Sequence, residues 1–150
     1  MRIVDLLSKD SILLNASPKN KAEAIDLLVD LQVKGGKITD RETYKQGILA
    51  REENGSTAVG EGIAIPHAKS PNVTAPSIVF ARLGAGVEWN ALDGEPVDTV
   101  INILVPKDGS NTHLQLLAKL ARNLVHKDFV AKLKQDSIED VCALIQGVVG

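Results

Sequence analysis

The sequence has a single cysteine, Cys142, among its 150 residues. An internal disulfide is therefore excluded. The spacing of apolar residues in SIEDVCALI places Cys142 on the buried side of a helix, where a free thiol packs as a small apolar group. A lone reduced cysteine fits the reducing conditions of the cytoplasm.

The sequence also lacks long apolar runs and blocks of like charge. Its 17 basic and 19 acidic residues give a formal net charge of -2 and form no block of either sign, so no surface for nucleic acid or a membrane is indicated. The first segment, MRIVDLLSKDSILL, is interrupted by Asp5, Lys9 and Asp10 and is too polar for a signal peptide or a membrane span. We therefore expect a cytoplasmic protein without membrane insertion.

Internal repeats, low-complexity tracts and linkers are likewise missing. With 44% hydrophobic and 24% charged residues, the chain has the composition of an ordinary globular domain. Its length is sufficient to bury one sizeable hydrophobic core. We therefore predict one compact domain over residues 1–150.

Two amphipathic helices are predicted in the first third of the chain. Ser17 and Pro18 are typical of an N-cap and a first helical position, and the helical spacing of apolar residues continues to the GG pair at 35–36. A second helix is predicted from the capping box formed by Thr39 and Glu42, and it carries Arg51 in its last turn.

The middle of the chain is predicted to be rich in β-structure. The predicted strands are Ile63 to Pro66, Ser77 to Leu83, Val87 to Trp89 and the run VINILV at 100–105, with a turn at Asp93-Gly94. A continuous apolar strand such as VINILV needs cover on both of its faces. We therefore predict an α/β fold with a mixed β-sheet flanked by helices on both faces.

Helices are predicted again after PKDGSN. The first has an inward stripe made of Leu114, Leu117, Ala118, Ala121, Leu124 and Val125. The segment DFVAKLKQ follows, and a last helix begins with the capping pair Ser137 and Asp140.

The stretch GEGIAIPHAK is the first candidate functional segment. Pro66 has a fixed φ and restricts the residue before it, so it ends the predicted strand in a defined direction and orients His67. Gly60 and Gly62 permit positive φ, and backbone N–H groups in such a loop could hold an anion or orient an imidazole nitrogen. The alternative is a strand-end histidine with an ordinary structural role, and the spacing leaves both interpretations open.

Four further residues have side chains suited to phosphate. His113 lies in the first turn of a predicted helix, where unpaired N–H groups attract negative charge, and Arg51 carries a planar, permanently charged guanidinium. Ser56 and Thr57 add hydroxyl groups in the NGST loop. Each also has a structural interpretation: a charge at a helix end for Arg51, a neighbour of a cap for His113, and turn formation for the two hydroxyl residues.

The segment REENGSTAVGEGIAIPHAK resembles the active-site signature of the enzyme IIA domain of the fructose and mannitol family, in the bacterial phosphoenolpyruvate-dependent sugar phosphotransferase system. The matching positions are Glu52, Val59-Gly60 and the run from Ile63 to Ala68. The resemblance continues through VEWNALDGEPVDTVINILVPK and HLQLLAKLA, and so covers nearly the whole chain.

The resemblance implies a phosphotransferase component that carries a phosphoryl group on Nε2 of His67. It also implies that His113 is the second active-site histidine and that Arg51 is the accompanying arginine. The implied donor is phosphorylated HPr and the implied acceptor is a cysteine of an enzyme IIB domain, with the membrane protein enzyme IIC moving the sugar, most simply fructose. The chemistry requires no metal and no cofactor, because an imidazole nitrogen accepts and returns the group by itself.

The surface that would receive these partners is expected to be apolar and to surround His67. We expect exposed loop residues to form it, because the strand context of Val59, Ile63 and Ile65 favours burial. Trp89 is expected to be a packing residue rather than a part of the site.

Three alternatives remain open at the level of sequence. The chain could be a regulatory enzyme IIA of the nitrogen-related branch, which keeps the His67 chemistry and signals its phosphorylation state. A metal-dependent hydrolase could use His67, His113 and His126, although paired ligand spacings such as H-E-x-x-H are missing. A purely structural domain would accept no phosphoryl group. The sequence identifies neither the sugar nor the oligomeric state, nor whether the chain is a separate protein or a domain.

Overall fold

The computed structural model describes residues 6–107 and 110–149, and within them the side chains of Lys69, Val105 and residues 110–114 lie outside the description. Five α-helices are found in these ranges: α1 (Lys21–Lys34), α2 (Arg41–Glu53), α3 (Ser110–Leu124), α4 (Lys127–Gln135) and α5 (Ile138–Val149). Across the described ranges, none of the helices combines the length and apolar character needed to cross a membrane.

Within the same described ranges, six strands form one mixed sheet. They are β1 (Ile12–Ala16), β2 (Ala58–Gly60), β3 (Ile63–Ala64), β4 (His67–Ser70), β5 (Ser77–Val87) and β6 (Val97–Pro106). The strand order is β1-β5-β6-β3-β2, and β4 also pairs with β6. The pairs β1/β5, β3/β6 and β4/β6 are parallel, whereas β5/β6 and β2/β3 are antiparallel.

Helices cover both faces of this sheet, because the central strands alternate their side chains between two cores. In β5, Ile78 and Phe80 pack with residues of α3, α4 and α5, whereas Val79 and Ala81 pack with residues of α1 and α2. The period of two is that of a strand buried on both faces. The predicted α/β class with a mixed sheet between helical layers is confirmed.

The strand predictions need correction. β1, β2 and β4 were not predicted, and β1 pairs in parallel with β5 at one edge of the sheet. The separate strand predicted from Val87 to Trp89 does not exist, because β5 runs without interruption from Ser77 to Val87. The predicted turn at Asp93-Gly94 is confirmed, since Gly94 has a φ of 72° and its N–H donates to the carbonyl of Ala91 at 3.0 Å.

The first two helices begin later than predicted. The N-cap of α1 is Asn20 rather than Ser17, and its side chain accepts from the N–H of Glu23 at 2.9 Å. The N-cap of α2 is Asp40 rather than Thr39, with its carboxylate accepting from the N–H of Thr43. These acceptors satisfy N–H groups that have no partner within the first helical turn.

The start of α5 agrees with prediction, because Ser137 Oγ accepts from the N–H of Asp140 at 3.3 Å. The inward stripe predicted for α3 is wrong in part: Ala118 and Ala121 are exposed, and so is Val125 beyond the helix end, whereas Leu116 and Leu120 are buried. The side chain of Leu114 lies outside the described residues. Cys142 is buried on α5, as predicted.

Candidate functional site

The segment around His67 is one interrupted strand beside β6. Ile63 pairs with Thr99 and His67 pairs with Ile103, so β3 and β4 follow β6 in the same register. The pairing is broken at Ile65 and Pro66, because proline has no N–H to donate to the ladder. The predicted strand from Ile63 to Pro66 therefore ends earlier, at Ala64, and His67 begins β4 instead of following a strand end.

The interruption directs a carbonyl group at the imidazole. Nδ1 of His67 lies 2.8 Å from the carbonyl oxygen of Ile65. A carbonyl oxygen only accepts hydrogen bonds, so Nδ1 carries the proton in this contact. In the neutral ring, Nε2 is then the nitrogen that carries the lone pair.

Burial lowers the pKa of His67 below its ordinary value of 6.5, and the positive charge of Arg51 lowers it further. The hydrogen bond to Ile65 and the negative charge of Glu52 act in the opposite direction. The net shift keeps the imidazole neutral at pH 7, and a neutral imidazole is the nucleophilic form.

His67 lies in a cleft of about 220 Å³ between the two helical layers. Its lining contains four of the predicted site residues, His67, Arg51, Ser56 and Thr57, and it is completed by Ala58, Val59, Ile65, Leu117 and Ala121. α2, the loop after it, the interrupted strand and α3 all contribute side chains. The cleft therefore combines polar groups from one side with a small apolar wall from α3.

Arg51 is placed where the prediction put it, in the last turn of α2. Its Nη1 donates to the carbonyl oxygen of Gly55 at 2.7 Å, which holds the guanidinium over the loop that follows the helix. One nitrogen is thus used for positioning, while the planar group retains further donors. The fixed positive charge beside His67 suits a phosphoryl group.

Ser56 and Thr57 line the cleft, but their hydroxyl groups serve the loop. Oγ of Ser56 donates to the carbonyl oxygen of Trp89 at 2.6 Å, and the hydroxyl of Thr57 donates to the carboxylate of Glu52. Trp89 Nε1 donates to the same Thr57 oxygen at 3.3 Å. Trp89 itself is fully buried, which agrees with its predicted packing role.

Glu52 has a role that the sequence analysis missed. Only 8% of the residue is exposed, and its carboxylate accepts from the N–H of Thr57 at 3.1 Å and pairs with Lys21 at 2.9 Å. With the bond from the Thr57 hydroxyl, this buried carboxylate has three partners, which offset the cost of its burial. It anchors the loop that carries Ser56 and Thr57 along one side of the cleft.

The glycine turn has the predicted positive φ angles, but it lies at the end of a hairpin away from His67. Gly60 and Gly62 have φ values of 96° and 74°, which glycine adopts without strain. The turn connects β2 to β3, and the other end of this hairpin, where Ile65 N–H donates to the carbonyl of Thr57, lies beside His67. A backbone carbonyl, rather than the N–H groups of the glycine turn, therefore orients Nδ1.

His113 belongs to the first turns of α3, as predicted, and its side chain lies outside the described residues. It precedes Leu117, a cleft residue, by one helical turn, so its backbone position is on the same helix face. His126 is exposed at the N-terminus of α4. Among the residues that the structure describes, no group of three or more His, Cys, Asp or Glu side chains could hold a metal ion.

The burial of the three strand residues differs from the expectation at Val59, and both Val59 and Ile65 line the cleft. Ile63 and Ile65 are buried, as expected, but Val59 is 53% exposed and lines the cleft. Val59 also borders a second cleft with Leu124 and with Val125, which is 77% exposed. The edge of β2 therefore contributes an exposed apolar residue, because β2 is the last strand of the sheet.

The sequence model of the family described as "Phosphoenolpyruvate-dependent sugar phosphotransferase system, EIIA 2" matches residues 5–148. The chain belongs to this family. The resemblance stated from the motif is thus confirmed, and this EIIA chain is a component of a phosphotransferase that transfers phosphoryl groups between proteins.

One relative of this EIIA chain is a fructose-specific protein. It is 42% identical over 140 residues to the fructose-specific EIIABC component of Bacillus subtilis (strain 168), a match that covers 93% of this chain and 22% of that protein. The chain thus spans about a fifth of the length of this relative.

Among the solved structures that share its fold are two IIA proteins. Nitrogen regulatory protein IIA-Ntr from Neisseria meningitidis has a TM-score of 0.89 at 28% identity, and the match covers 96% of this chain and 99% of that one. Enzyme IIA-Mtl of Escherichia coli, solved in complex with phosphorylated enzyme IIB-Mtl, has a TM-score of 0.81 at 28% identity, with coverage of 94% and 97%.

Proposed function

We propose that Nε2 of His67 is the phosphoryl acceptor of this EIIA chain. The observation that carries the proposal is the contact between His67 Nδ1 and the carbonyl of Ile65, which keeps the proton on Nδ1 and the lone pair on Nε2. The lowered pKa of His67 supports it, because the nucleophile is then neutral at the pH of the cytoplasm.

The transfer forms one N–P bond and breaks another. Nε2 of His67 attacks the phosphorus of a phosphohistidine on the donor, and the donor imidazole leaves with the electron pair of its N–P bond. In the second step a cysteine thiolate attacks the phosphorus on His67, an S–P bond forms, and Nε2 recovers its lone pair. Both steps are displacements at phosphorus with charge on the equatorial oxygens, and no metal is needed to balance them.

Arg51 stabilises that charge in both steps, because its guanidinium is held beside His67 in the cleft. We assign His113 to a second donor on the α3 side of the phosphoryl group, from its place one turn before Leu117. Ser56 and Thr57 contribute to phosphate binding by shaping the loop, since their hydroxyl groups are bonded to Trp89 and Glu52.

The proposed partners are phosphorylated HPr as donor and a cysteine of an enzyme IIB domain as acceptor, with membrane-embedded enzyme IIC transporting the sugar in the cytoplasmic membrane. The complex of enzyme IIA-Mtl with phosphorylated enzyme IIB-Mtl supports the choice of acceptor. The similarity to the fructose-specific EIIABC component of Bacillus subtilis supports fructose as the transported sugar. We place the reaction in the cytoplasm.

A regulatory role of the nitrogen-related branch is the second candidate, and the TM-score of 0.89 to IIA-Ntr from Neisseria meningitidis favours it. In that role His67 accepts the phosphoryl group in the same way, but the phosphorylation state is read by other proteins. The two candidates differ only after the first step. Transfer onward to a fructose-type IIB domain therefore separates them.

The acceptor is tested by intact-mass measurement after incubation with phosphoenolpyruvate, enzyme I and HPr. We expect one phosphoryl addition that is lost after brief acid treatment and is missing in His67→Ala. His126→Ala is the matched control, because His126 is exposed at the start of α4 and should leave the addition unchanged. Stoichiometric labelling of His67→Ala would remove His67 as the acceptor.

A further inference from the structure

Asn102 interrupts the apolar run VINILV in the middle of β6. Its exposed fraction is 0%, and asparagine is depleted in strands because its amide competes with the backbone for hydrogen bonds. A buried amide costs free energy unless its donors and acceptors are satisfied. The packing of the strand alone therefore does not account for an asparagine at this position.

The amide is fully engaged in a buried polar network. Asn102 Nδ2 donates to the carbonyl oxygen of Pro66 at 3.0 Å and to the hydroxyl oxygen of Tyr44 at 3.3 Å, and Oδ1 accepts from Gln32 Nε2 at 3.0 Å. Gln32 is 1% exposed and Tyr44 is 0% exposed. Since the Pro66 oxygen only accepts, the NH₂ group must face Pro66, which fixes the orientation of the amide.

The carbonyl of Pro66 controls the direction in which the chain reaches His67. The proline ring fixes φ of Pro66 and the peptide bonds are planar, so ψ of Pro66 is the one soft backbone dihedral between the carbonyl of Ile65 and the nitrogen of His67. Asn102 Nδ2 and the N–H of Ile103, at 3.0 and 3.2 Å, both hold the Pro66 oxygen and thereby fix that dihedral.

We propose that Asn102 is a positioning residue for His67. By holding the Pro66 carbonyl, it keeps the Ile65 carbonyl within hydrogen-bond distance of His67 Nδ1. The proton therefore stays on Nδ1 and the lone pair stays on Nε2. Tyr44 accepts the second N–H of the Asn102 amide and Gln32 donates to its oxygen, so both satisfy the amide without contacting Pro66. Only the kinetic part of this inference rests on the proposed role of His67 as acceptor. The tautomer of the His67 ring can be measured without any phosphoryl transfer.

The first test compares Asn102→Leu with the matched control Tyr44→Phe. Tyr44→Phe removes one acceptor of the same amide but leaves the donor to Pro66 in place. Long-range ¹⁵N–¹H spectra of ¹⁵N-histidine-labelled protein at pH 7.5 report the tautomer of His67 directly. We expect the Nδ1–H form in the wild type and in Tyr44→Phe, and a mixture of tautomers in Asn102→Leu.

The second test measures the rate of phosphoryl acceptance from HPr by the same proteins. We expect a decrease of roughly 10- to 100-fold for Asn102→Leu, because a displaced nucleophile loses near-attack geometry, and a near wild-type rate for Tyr44→Phe. If Asn102→Leu fails to fold, the triple variant Gln32→Leu/Tyr44→Phe/Asn102→Leu replaces it, since it leaves none of these three side chains as an unsatisfied buried polar group.

An unchanged tautomer and rate in Asn102→Leu or in the triple variant would overturn the proposal, and so would equal changes in Asn102→Leu and Tyr44→Phe. If the wild type accepts no phosphoryl group at all, the proposed function fails. The tautomer comparison still decides the role of Asn102 in that case.

Discussion

The ammonium of Lys21 lies 2.9 Å from Oε1 of Glu52 and 5.3 Å from the centroid of the Trp89 ring. This ion pair joins the first turn of α1 to the last turn of α2, directly behind the loop that lines the His67 cleft. The side chain of Glu52 is only 4% exposed, whereas that of Lys21 is 21% exposed. The carboxylate is therefore the partner whose desolvation the local structure must compensate.

Glu52→Gln should destabilise the protein by about 1–3 kcal/mol, because Lys21 loses its partner and the bond from the Thr57 hydroxyl weakens. It should also lower the pKa of His67 further, since the negative charge of Glu52 acts to raise it. Urea unfolding and an NMR titration of His67 measure the two effects. The neighbouring exposed Glu53→Gln is the control, and an equal loss of stability in both variants would contradict this account.

The pH dependence of His67 follows from the same site. Because burial lowers its pKa, the unfolded chain binds more protons than the folded chain between the folded pKa and the ordinary value of 6.5. The stability that His67 contributes is complete above pH 6.5 and is lost as the pH falls through the folded pKa. The rate of phosphoryl acceptance should decrease in the same range, as Nε2 becomes protonated.

Arg51→Gln should raise the pKa of His67 towards its ordinary value, because the charge of Arg51 lowers it. The acid limb of the acceptance rate should move to higher pH by the same amount, and ring-proton shifts of His67 follow the titration directly. Arg41→Gln, at the opposite end of α2, serves as the control. A pKa of His67 that does not change in Arg51→Gln would show that the guanidinium is too far from the ring to act on it.

The sequence predicted the fold class, and four of its candidate site residues, His67, Arg51, Ser56 and Thr57, line one cleft. Apolar runs such as VINILV required two covered faces, and Pro66 before His67 indicated an oriented imidazole. The residues alone left the role of His67 open, and its role as phosphoryl acceptor is implied by the family resemblance and stays a prediction. β1 was missed because its pairing with β5 involves residues far apart in the sequence.

The networks around the site could not be predicted, since their partners are also distant in sequence. Glu52 pairs with Lys21, and Asn102 bonds to Gln32 and Pro66, contacts that only the packed sheet and helices create. One signal was present in the sequence: a polar residue at 102 within an apolar central strand. A buried polar group in such a run needs partners, and one of them here is the carbonyl of Pro66, directly before His67.

The start of α1 offers a direct check on how helix caps are assigned. Ser17 and Asn20 are both residues that cap helices, and only the structure shows that Asn20 accepts from the N–H of Glu23. Asn20→Ala should therefore lower the free energy of unfolding by about 1 kcal/mol. Ser17→Ala should change it by less than about 0.5 kcal/mol, as for an ordinary surface substitution. Denaturant unfolding of both variants measures the difference, and a larger effect at Ser17 would contradict the assigned cap.

The exposed apolar residues beside the cleft predict where a partner docks. Val59 lines the His67 cleft at 53% exposure, and it shares a second cleft with Val125, which is 77% exposed. Val59→Gln should raise the KM for the phosphoryl donor by about fivefold, the equivalent of about 1 kcal/mol, and should leave kcat unchanged. The reason is that Val59 contacts no reacting atom in the proposed transfer, so its loss weakens association without changing the chemistry at Nε2.

Val33→Gln, at 39% exposure on α1 and outside the cleft lining, is the matched control. Steady-state phosphorylation at varied HPr concentration separates the two constants. A decrease in kcat with KM unchanged would instead place Val59 in the positioning of His67.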